Sequence, residues 1–342
     1  MKLASLKHGR DGRLVVVSRD LTRATDAFIV VPTLQRALDD WERYAPALAA
    51  LAEQLEHGSV PSFRFHEHDC AAPLPRAYAR RHAAAWPGYP ALLRQAAGAE
   101  AAGSEAGRLR HAPSDGFLGP REPLAADDPA ASLDLSAGLA VITGDLARGA
   151  GMAQAEGAIR LVTLVAEVIR HDRLRPDGLD LDGAEAPALA ASLAPVAVTP
   201  DELEGAWRDG TLHRPLLVSR NGKALGCPDA GADMTQGLVG QSLVGQGLVG
   251  LVAEAARHHA LGAGTLISAG PVSNRGIDGG PGRATAEGGA GYACLAEARA
   301  AEVLTGGWAR TPYLTAGDRM RVEMKDTGGH SIFGAIEHDV TA

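Results

Sequence analysis

Two histidines and a cysteine recur at every second position in residues 63–70, FRFHEHDC. On a strand, His66, His68 and Cys70 would share one face, because successive side chains point to opposite faces. Imidazole and thiolate groups are the ligands that zinc prefers, but a structural zinc ion takes four ligands and no fourth is visible in this sequence. We therefore expect a solvated linking segment here, with a zinc site as the alternative.

The sequence does not contain a phosphate-binding loop or a serine-hydrolase motif. Glycines cluster at 279–282, GGPG, but no lysine follows them and they do not stand between a strand and a helix. They therefore do not fit a phosphate-binding loop. The GxSxG motif of serine hydrolases does not occur. Ser136 could be a nucleophile, but the sequence assigns it no base, and an inert serine is the simpler interpretation.

Composition narrows the class of protein. The chain has 342 residues and a formal net charge of −8, and it shows no basic stripe. We expect no nucleic acid partner. The three cysteines form no CxxC pair, which is typical of a reducing compartment. No apolar run approaches the ~20 residues of a membrane span, and the N-terminal residues lack a signal-peptide core. We expect a cytoplasmic protein that does not bind membranes.

Periodicity predicts many strands and few helices. Helical spacing of apolar residues extends over 33–57 and over 152–171, whereas 139–143 and 319–325 are typical of strands. Leu216–Val218 followed by Asn221-Gly222 predicts a hairpin with a type I′ turn. The order of elements is not βαβ, so we predict an α+β fold that is mainly β.

A five-residue unit is repeated three times in residues 236–250, QGLVG-QSLVG-QGLVG. The period is far too short for a solenoid repeat. A tandem duplication that lengthens a loop or a helix start is the favoured interpretation, and a specific binding loop is the alternative.

Several segments resemble one known family in order along nearly the whole chain. They are APLPRAY (72–78), SDGFLGPR (114–121), AVITGD (140–145), APVAVTPDEL (194–203), GPVSNRGIDGGPG (270–282), AEGGAGYACLAE (286–297) and MKDTGGHSIFGAIEH (324–338). The chain resembles the fumarylacetoacetate hydrolase family, and most closely its bacterial fumarylacetoacetase-like branch. The resemblance implies a small N-terminal β domain, residues 1–70, a mixed β-roll of the catalytic type, residues 71–342, and a homodimer.

The same resemblance implies a metal site that this chain has altered. Members hold Mg or Ca with one Asp, a Glu-x-Glu pair and a second Asp, and the ion stabilises an enolate. Here the Glu-x-Glu positions fall on Ser136 and Gly138, the first Asp on His82 and the last near Glu167. Because serine and glycine cannot replace two carboxylates, we predict no metal, with Mg or Ca as a remote alternative.

The resemblance also implies changes around the metal position. The family's catalytic His falls on Tyr89, and its acidic partner is kept as Glu297. A substrate-contacting Tyr is replaced by Arg110 and a Thr by Pro271, and no lysine occurs in 178–195, where the family has one.

These replacements give a set of candidate residues. We predict catalytic roles for His82, Tyr89, Glu167 and Glu297. Contacts to substrate are predicted for Arg110, Trp86, Ser136 and Pro271. Glu297 is expected on a strand, either as an acid–base group or as a buried carboxylate paired with Arg110 or His82.

Three functions stay open at this point. The first is a repurposed, metal-independent enzyme that carries out tautomerisation, dehydration, cyclisation or decarboxylation of an oxo-acid or polyketide-like intermediate, in a biosynthetic pathway. The second is a pseudoenzyme that acts as a binding or scaffold partner. The third is a hydrolase of C–C bonds in acylpyruvate-like substrates. We favour the first, because polar groups replace the catalytic set together.

Overall fold

Strands dominate the structure, a computed structural model that describes residues 1–98, 109–126, 128, 131–173, 188–234 and 247–342. The strands are β1 Lys2–Leu6, β2 Arg13–Val17, β3 Arg23–Asp26, β4 Phe63–Arg64, β5 Ala79–His82, β6 Arg110–His111, β7 Leu124–Ala125, β8 Leu133–Thr143, β9 Ile159–Arg170, β10 Ala188–Leu193, β11 Ala197–Val198, β12 Trp207–Arg208, β13 Thr211–Leu212, β14 Leu216–Arg220, β15 Lys223–Gly226, β16 Thr265–Pro271, β17 Arg319–Met324 and β18 Ile336–Thr341. The helices are α1 Leu34–Asp39, α2 Trp41–Glu56, α3 Gly88–Ala96, α4 Met152–Ala158, α5 Gly247–Ala255 and α6 Leu295–Gly306. The fold is α+β and mainly β, as predicted.

The main sheet carries the candidate site. Its order is β4-β3-β2-β1-β11-β9-β8-β16-β5-β6, and β10 pairs with β9 beside β11. The N-terminal strands therefore continue into this sheet through the contact of β1 with β11. All eleven residues of β8 are buried, because the sheet is covered on both faces at its centre.

A second sheet packs beside the first, in the order β15-β14-β17-β18-β7. The predicted turn between β14 and β15 is confirmed. Asn221 and Gly222 both have positive φ, 52° and 75°, as a type I′ turn requires. The predicted alternation of 319–325 is confirmed as well, because β17 buries every second residue.

The first predicted helix is confirmed with a break. Residues 33–57 form α1 and α2, which meet at Asp40. Asp40 adopts a non-helical conformation, with φ −145° and ψ 57°, so the chain changes direction there. The face with Leu48, Leu51 and Leu55 is buried.

The second predicted helix, 152–171, is wrong in its larger part. Only Met152–Ala158 is helical, and Ile159–Arg170 is the central strand β9. A strand with both faces buried has apolar residues on both sides and shows no alternation. Its valines and isoleucines favour the strand, because branched side chains are restricted in a helix.

Two further observations complete the fold. Of the pentapeptide repeats, only 247–250 lie within the described residues, where they begin α5. In the part of the chain that the structure describes, no helix has both the length and the apolar character needed to cross a bilayer.

Candidate active site

Four neighbouring strands bring three predicted residues together. Ser136 on β8 lies opposite Glu167 on β9, and Ser268 on β16 lies beside His82 on β5. The order of these strands is β9-β8-β16-β5, so Glu167 reaches across β8 to contact Ser268 and His82.

The carboxylate of Glu167 is the centre of this cluster. Nδ1 of His82 lies 2.9 Å from each of its oxygens, and the hydroxyl of Ser268 donates to Oε1 over 2.9 Å. The guanidinium of Arg80 donates to the same oxygen. The Arg80 and Glu167 side chains are each 1% exposed, whereas that of His82 is 18% exposed. The cluster therefore has one member that solvent reaches.

The charges of the cluster keep Glu167 ionised. Burial raises the pKa of Glu167, but the positive charge that His82 carries when protonated, the charge of Arg80 and the hydrogen bonds from His82 and Ser268 outweigh burial and lower it to about 2. An ionised carboxylate only accepts hydrogen bonds, so Nδ1 of His82 carries its proton. That bond fixes the orientation of the imidazole ring.

The backbone fills the space beside Gly138. A bulge between Ser268 and Pro271 interrupts the pairing of β16 with β8, and Gly270 at the bulge has a φ of 78°. A Cβ atom on Gly138 would lie 1.9 Å from the carbonyl oxygen of Gly270. Real Cβ atoms do not approach other atoms within 3.0 Å, so position 138 has no room for a side chain.

The residues predicted to contact substrate lie in different surroundings. The hydroxyl of Ser136 is buried and has no hydrogen-bond partner among the described residues. Pro271 ends β16 opposite Gly138. Arg110 on β6 is the register partner of His82, so the two side chains share one face of the sheet. Trp86 is fully buried in the largest apolar cluster, and its indole N–H donates to the carbonyl oxygen of Ala232 over 3.1 Å.

Glu297 is placed differently from its prediction. It lies in the first turn of α6, not on a strand. Its Oε1 accepts a hydrogen bond of 2.5 Å from Ser273, and within the described ranges neither His82 nor Arg110 bonds to it. Of the two alternatives expected for Glu297, the described residues therefore do not show the pairing with Arg110 or His82, and His82 contacts Glu167 instead. Burial raises the pKa of Glu297 to about 7, although bonds from Ser273 and the Ala293 backbone oppose the shift.

Tyr89 is half-buried and lies near a group of buried titratable residues that includes Glu297. Burial raises its pKa well above the ordinary value, and the nearby Cys294, Asp134 and Glu297 raise it further. At neutral pH the phenol is therefore protonated and can only donate or accept a hydrogen bond as a neutral group.

Two buried charged residues near the site were not predicted from the sequence. Asp134 accepts the backbone N–H groups of Leu295 and Ala296 and the Nε2–H of His171, so it anchors the start of α6. Arg80 stands two residues before His82, a spacing that puts both side chains on one face of a strand. That alternation was a usable signal for Arg80, whereas nothing local distinguishes Asp134.

The zinc alternative at 66–70 finds no support in the geometry. Glu67–Asp69 form a turn of 3-10 helix, so His66, His68 and Cys70 do not share a strand face. Within the described residues, no group of three or more His, Cys, Asp or Glu side chains could hold a metal ion.

Two sequence families match the chain in tandem. The one described as Fumarylacetoacetase N-terminal domain 2 matches residues 1–76, and the one described as Fumarylacetoacetate (FAA) hydrolase C-terminal matches residues 82–341. No curated protein matches the chain.

Several solved structures share the fold. The maleylpyruvate hydrolase from Sphingobium sp. SYK-6, in complex with manganese (II) ion and pyruvate, has a TM-score of 0.61 and 16% identity, covering 100% of this chain and 99% of that one. The fumarylacetoacetate hydrolase from psychrophilic Exiguobacterium antarcticum has a TM-score of 0.56 and 15% identity, with coverage of 100% and 99%. The 5-carboxymethyl-2-hydroxymuconate delta-isomerase from Mycobacterium smegmatis has a TM-score of 0.54 and 14% identity, with coverage of 100% and 98%. These similarities confirm the predicted fold.

Proposed function

Since the chain belongs to the fumarylacetoacetate hydrolase family, we propose that it transfers protons on a small 2-oxo acid without a divalent metal ion. The observation that carries the proposal is the pair of His82 and Glu167. A carboxylate that holds an imidazole through Nδ1 leaves Nε2 as the group that exchanges protons with a substrate. No described residue bonds to Nε2 of His82.

The donor set supports a mechanism without metal. Mg and Ca bind about six oxygen ligands, several of them charged. Around Glu167 the neighbouring groups are instead a guanidinium, an imidazole and two hydroxyls. At position 138, a second carboxylate has no space beside the Gly270 carbonyl. These residues do not fit the ion that the family implies, and we derive no step through it.

Arg80 supplies part of the positive charge that an ion would bring. Its guanidinium forms a buried ion pair with Glu167, which offsets the cost of burying that carboxylate. Arg110, on the same face as His82, is the residue that would hold a substrate carboxylate or an enolate oxygen. A guanidinium can stabilise the charge of an enolate by two parallel hydrogen bonds.

The proposed reaction is keto–enol tautomerisation. Nε2 of His82 takes a proton from the carbon beside the keto group. The electron pair of that C–H bond forms the C=C bond of the enolate, and the π pair of the C=O bond moves to the oxygen. The imidazolium then returns the proton to oxygen or to carbon. No water is consumed in this reaction. The structurally similar proteins include an isomerase as well as hydrolases, and this supports a reaction of the isomerase type.

Deuterium exchange tests this proposal. We expect the protein, in D₂O with EDTA, to exchange the C3 hydrogens of pyruvate and 2-oxobutanoate faster than buffer does, as followed by proton NMR. Replacing the proton carrier, His82→Gln, should slow the exchange by about 10²-fold or more. His258→Gln is the matched control, because His258 is exposed and makes no hydrogen bond to the cluster among the described residues, so its replacement should leave the rate unchanged.

Three results would contradict the proposal. Exchange no faster than buffer would remove the activity and favour a binding role. Exchange that survives in the His82→Gln variant would remove His82 as the base. Activity that requires Mn²⁺ or Mg²⁺, including cleavage of acylpyruvates, would restore the hydrolase mechanism.

A further inference from the structure

A cleft of about 230 Å³ opens between one face of α3 and the glycine-rich segment 273–282. Gly88, Ala91 and Leu92 line it from the helix, and Ser273, Arg275 and Glu297 supply polar groups. We propose that this cleft binds a small α-amino acid, with the ammonium group on Glu297 and the carboxylate on Arg275.

One oxygen of the Glu297 carboxyl group has no hydrogen-bond partner among the described residues. The residue is 1% exposed, and its Oε1 accepts the bond from Ser273. Its Oε2 is buried and accepts no hydrogen bond in the described chain. A buried polar atom without a hydrogen-bond partner destabilises the folded protein, and more so when it is charged. A ligand that donates to Oε2 removes this destabilisation.

The charge around Glu297 favours a cationic donor. No arginine, lysine or histidine of the described residues lies within ion-pair distance of it, and the nearby Asp134 adds negative charge. By contrast, the carboxylate of Asp134 accepts hydrogen bonds from His171 and from two backbone N–H groups. An ammonium group therefore gains more at Glu297 than a neutral hydroxyl would, because it compensates the charge of the carboxylate.

The mouth of the cleft carries the opposite charge. Arg275 is exposed, and no carboxylate in the described ranges forms an ion pair with its guanidinium. Its stem lies against α3, because a Cβ on Gly88 would stand 3.7 Å from the Arg275 Cγ. A buried acid at the floor and a free guanidinium at the rim match the two charges of a zwitterion.

The size of the cleft suits a small metabolite. Sites for drug-sized ligands have volumes of about 300–1,000 Å³, and this cleft is smaller. Ala91 and Leu92 add an apolar wall for a short aliphatic side chain. These features favour alanine and similar amino acids over bulky ones.

The pH dependence of binding separates this ligand from a 2-oxo acid. Burial raises the pKa of Glu297 to about 7. An ammonium ligand needs the ionised carboxylate, whose fraction rises from about one tenth at pH 6 to about nine tenths at pH 8. The affinity for an amino acid should therefore rise about tenfold between these values. A 2-oxo acid would need the protonated form and would bind more weakly as the pH rises.

Titration calorimetry with L-alanine, at pH 6 and pH 8, is the experiment. Propionate and ethylamine carry one charged group each and should both bind at least tenfold more weakly than alanine. Glu297→Gln should abolish the pH dependence and weaken alanine binding at pH 8 about tenfold or more. Arg275→Gln should weaken alanine and leave ethylamine unchanged. The exposed Glu156→Gln and Arg148→Gln are the charge-matched controls, and they should behave like the unmodified protein.

Four outcomes would overturn the proposal. They are no detectable alanine binding at millimolar concentration, alanine binding that persists in Glu297→Gln, alanine binding that does not depend on pH, and pyruvate binding that is tighter than that of alanine and strengthens at pH 6. Because the readout is binding at Glu297 rather than exchange at His82, failure here leaves the proposed proton transfer standing.

Discussion

Substitution of Gly138 by alanine tests the packing on which the loss of the second carboxylate depends. The new Cβ would lie 1.9 Å from the carbonyl oxygen of Gly270, where 3.0 Å is the lower limit. One of the two strands must therefore retreat by about 1.1 Å, the difference between these distances. Gly270 is itself tightly placed, because a Cβ there would stand 2.4 Å from the carbonyl oxygen of Ala83.

The expected cost of Gly138→Ala follows from this overlap. Inserting one extra methyl group into a well-packed core costs about 1–3 kcal/mol. The cost of Gly138→Ala should lie at the upper end of this range, because the new methyl group would contact backbone on a buried central strand. We expect the free energy of unfolding to fall by about 3 kcal/mol, measured by urea denaturation with circular dichroism. The slope with urea should not change, because the same surface is exposed on unfolding.

Gly157→Ala is the matched control for this substitution. Gly157 lies in α4, and nothing stands within 4 Å of its Cβ position. Alanine is the better helix former, so we expect a gain of up to about 1 kcal/mol. If Gly138→Ala instead unfolds within about 0.5 kcal/mol of the unmodified protein, the bulge at Gly270 yields easily. Position 138 would then have room for a side chain, including a carboxylate.

Two further predictions concern the same cluster. Arg80→Met leaves the buried carboxylate of Glu167 without its guanidinium partner. The free energy of unfolding should therefore fall by about 3–5 kcal/mol in the same urea assay. A loss below about 1 kcal/mol would show that the ion pair is not what stabilises Glu167. Protein dialysed against millimolar Mg²⁺, Ca²⁺ or Mn²⁺ should retain far less than one ion per chain by elemental mass spectrometry. A stoichiometric ion would show that the site binds a metal despite Ser136 and Gly138.

Local chemistry explains which elements the sequence could predict. The turn at Asn221-Gly222 depends on two residues that tolerate positive φ, and it forms where the residue types require it. The alternation of β17 reflects one exposed and one buried face, which a sequence displays directly. Neither feature needs a distant segment of the chain for its prediction.

Tertiary burial explains the main error. β9 is covered on both faces, so its apolar residues carry no period of two. Over part of the segment, the spacing of these apolar residues coincides with that of an amphipathic helix. The segment forms a strand because it pairs with β8 on one side and with β10 and β11 on the other.

The sequence predicted some residues of the candidate site, and the tertiary structure added the others. The resemblance of ordered motifs identified His82 and Glu167, and the two side chains meet at 2.9 Å. Arg80 and Ser268 join them only because β5 and β16 lie side by side, in parallel and in register. The placement of Glu297 in α6 depends on Asp134, which is 163 positions earlier and accepts the N–H groups that begin the helix.

The sequence by itself determined the family, the mainly β fold and the absence of carboxylates at positions 136 and 138, because these depend on the identity and order of residues. Only the tertiary structure decided that Arg80 neutralises Glu167, that the Gly270 carbonyl fills the space beside Gly138, and that Glu297 keeps an oxygen without a partner in a cleft. Each of these is a contact between distant segments. Such contacts depend on strand register and on backbone position to within about an ångström, which local residue patterns do not encode.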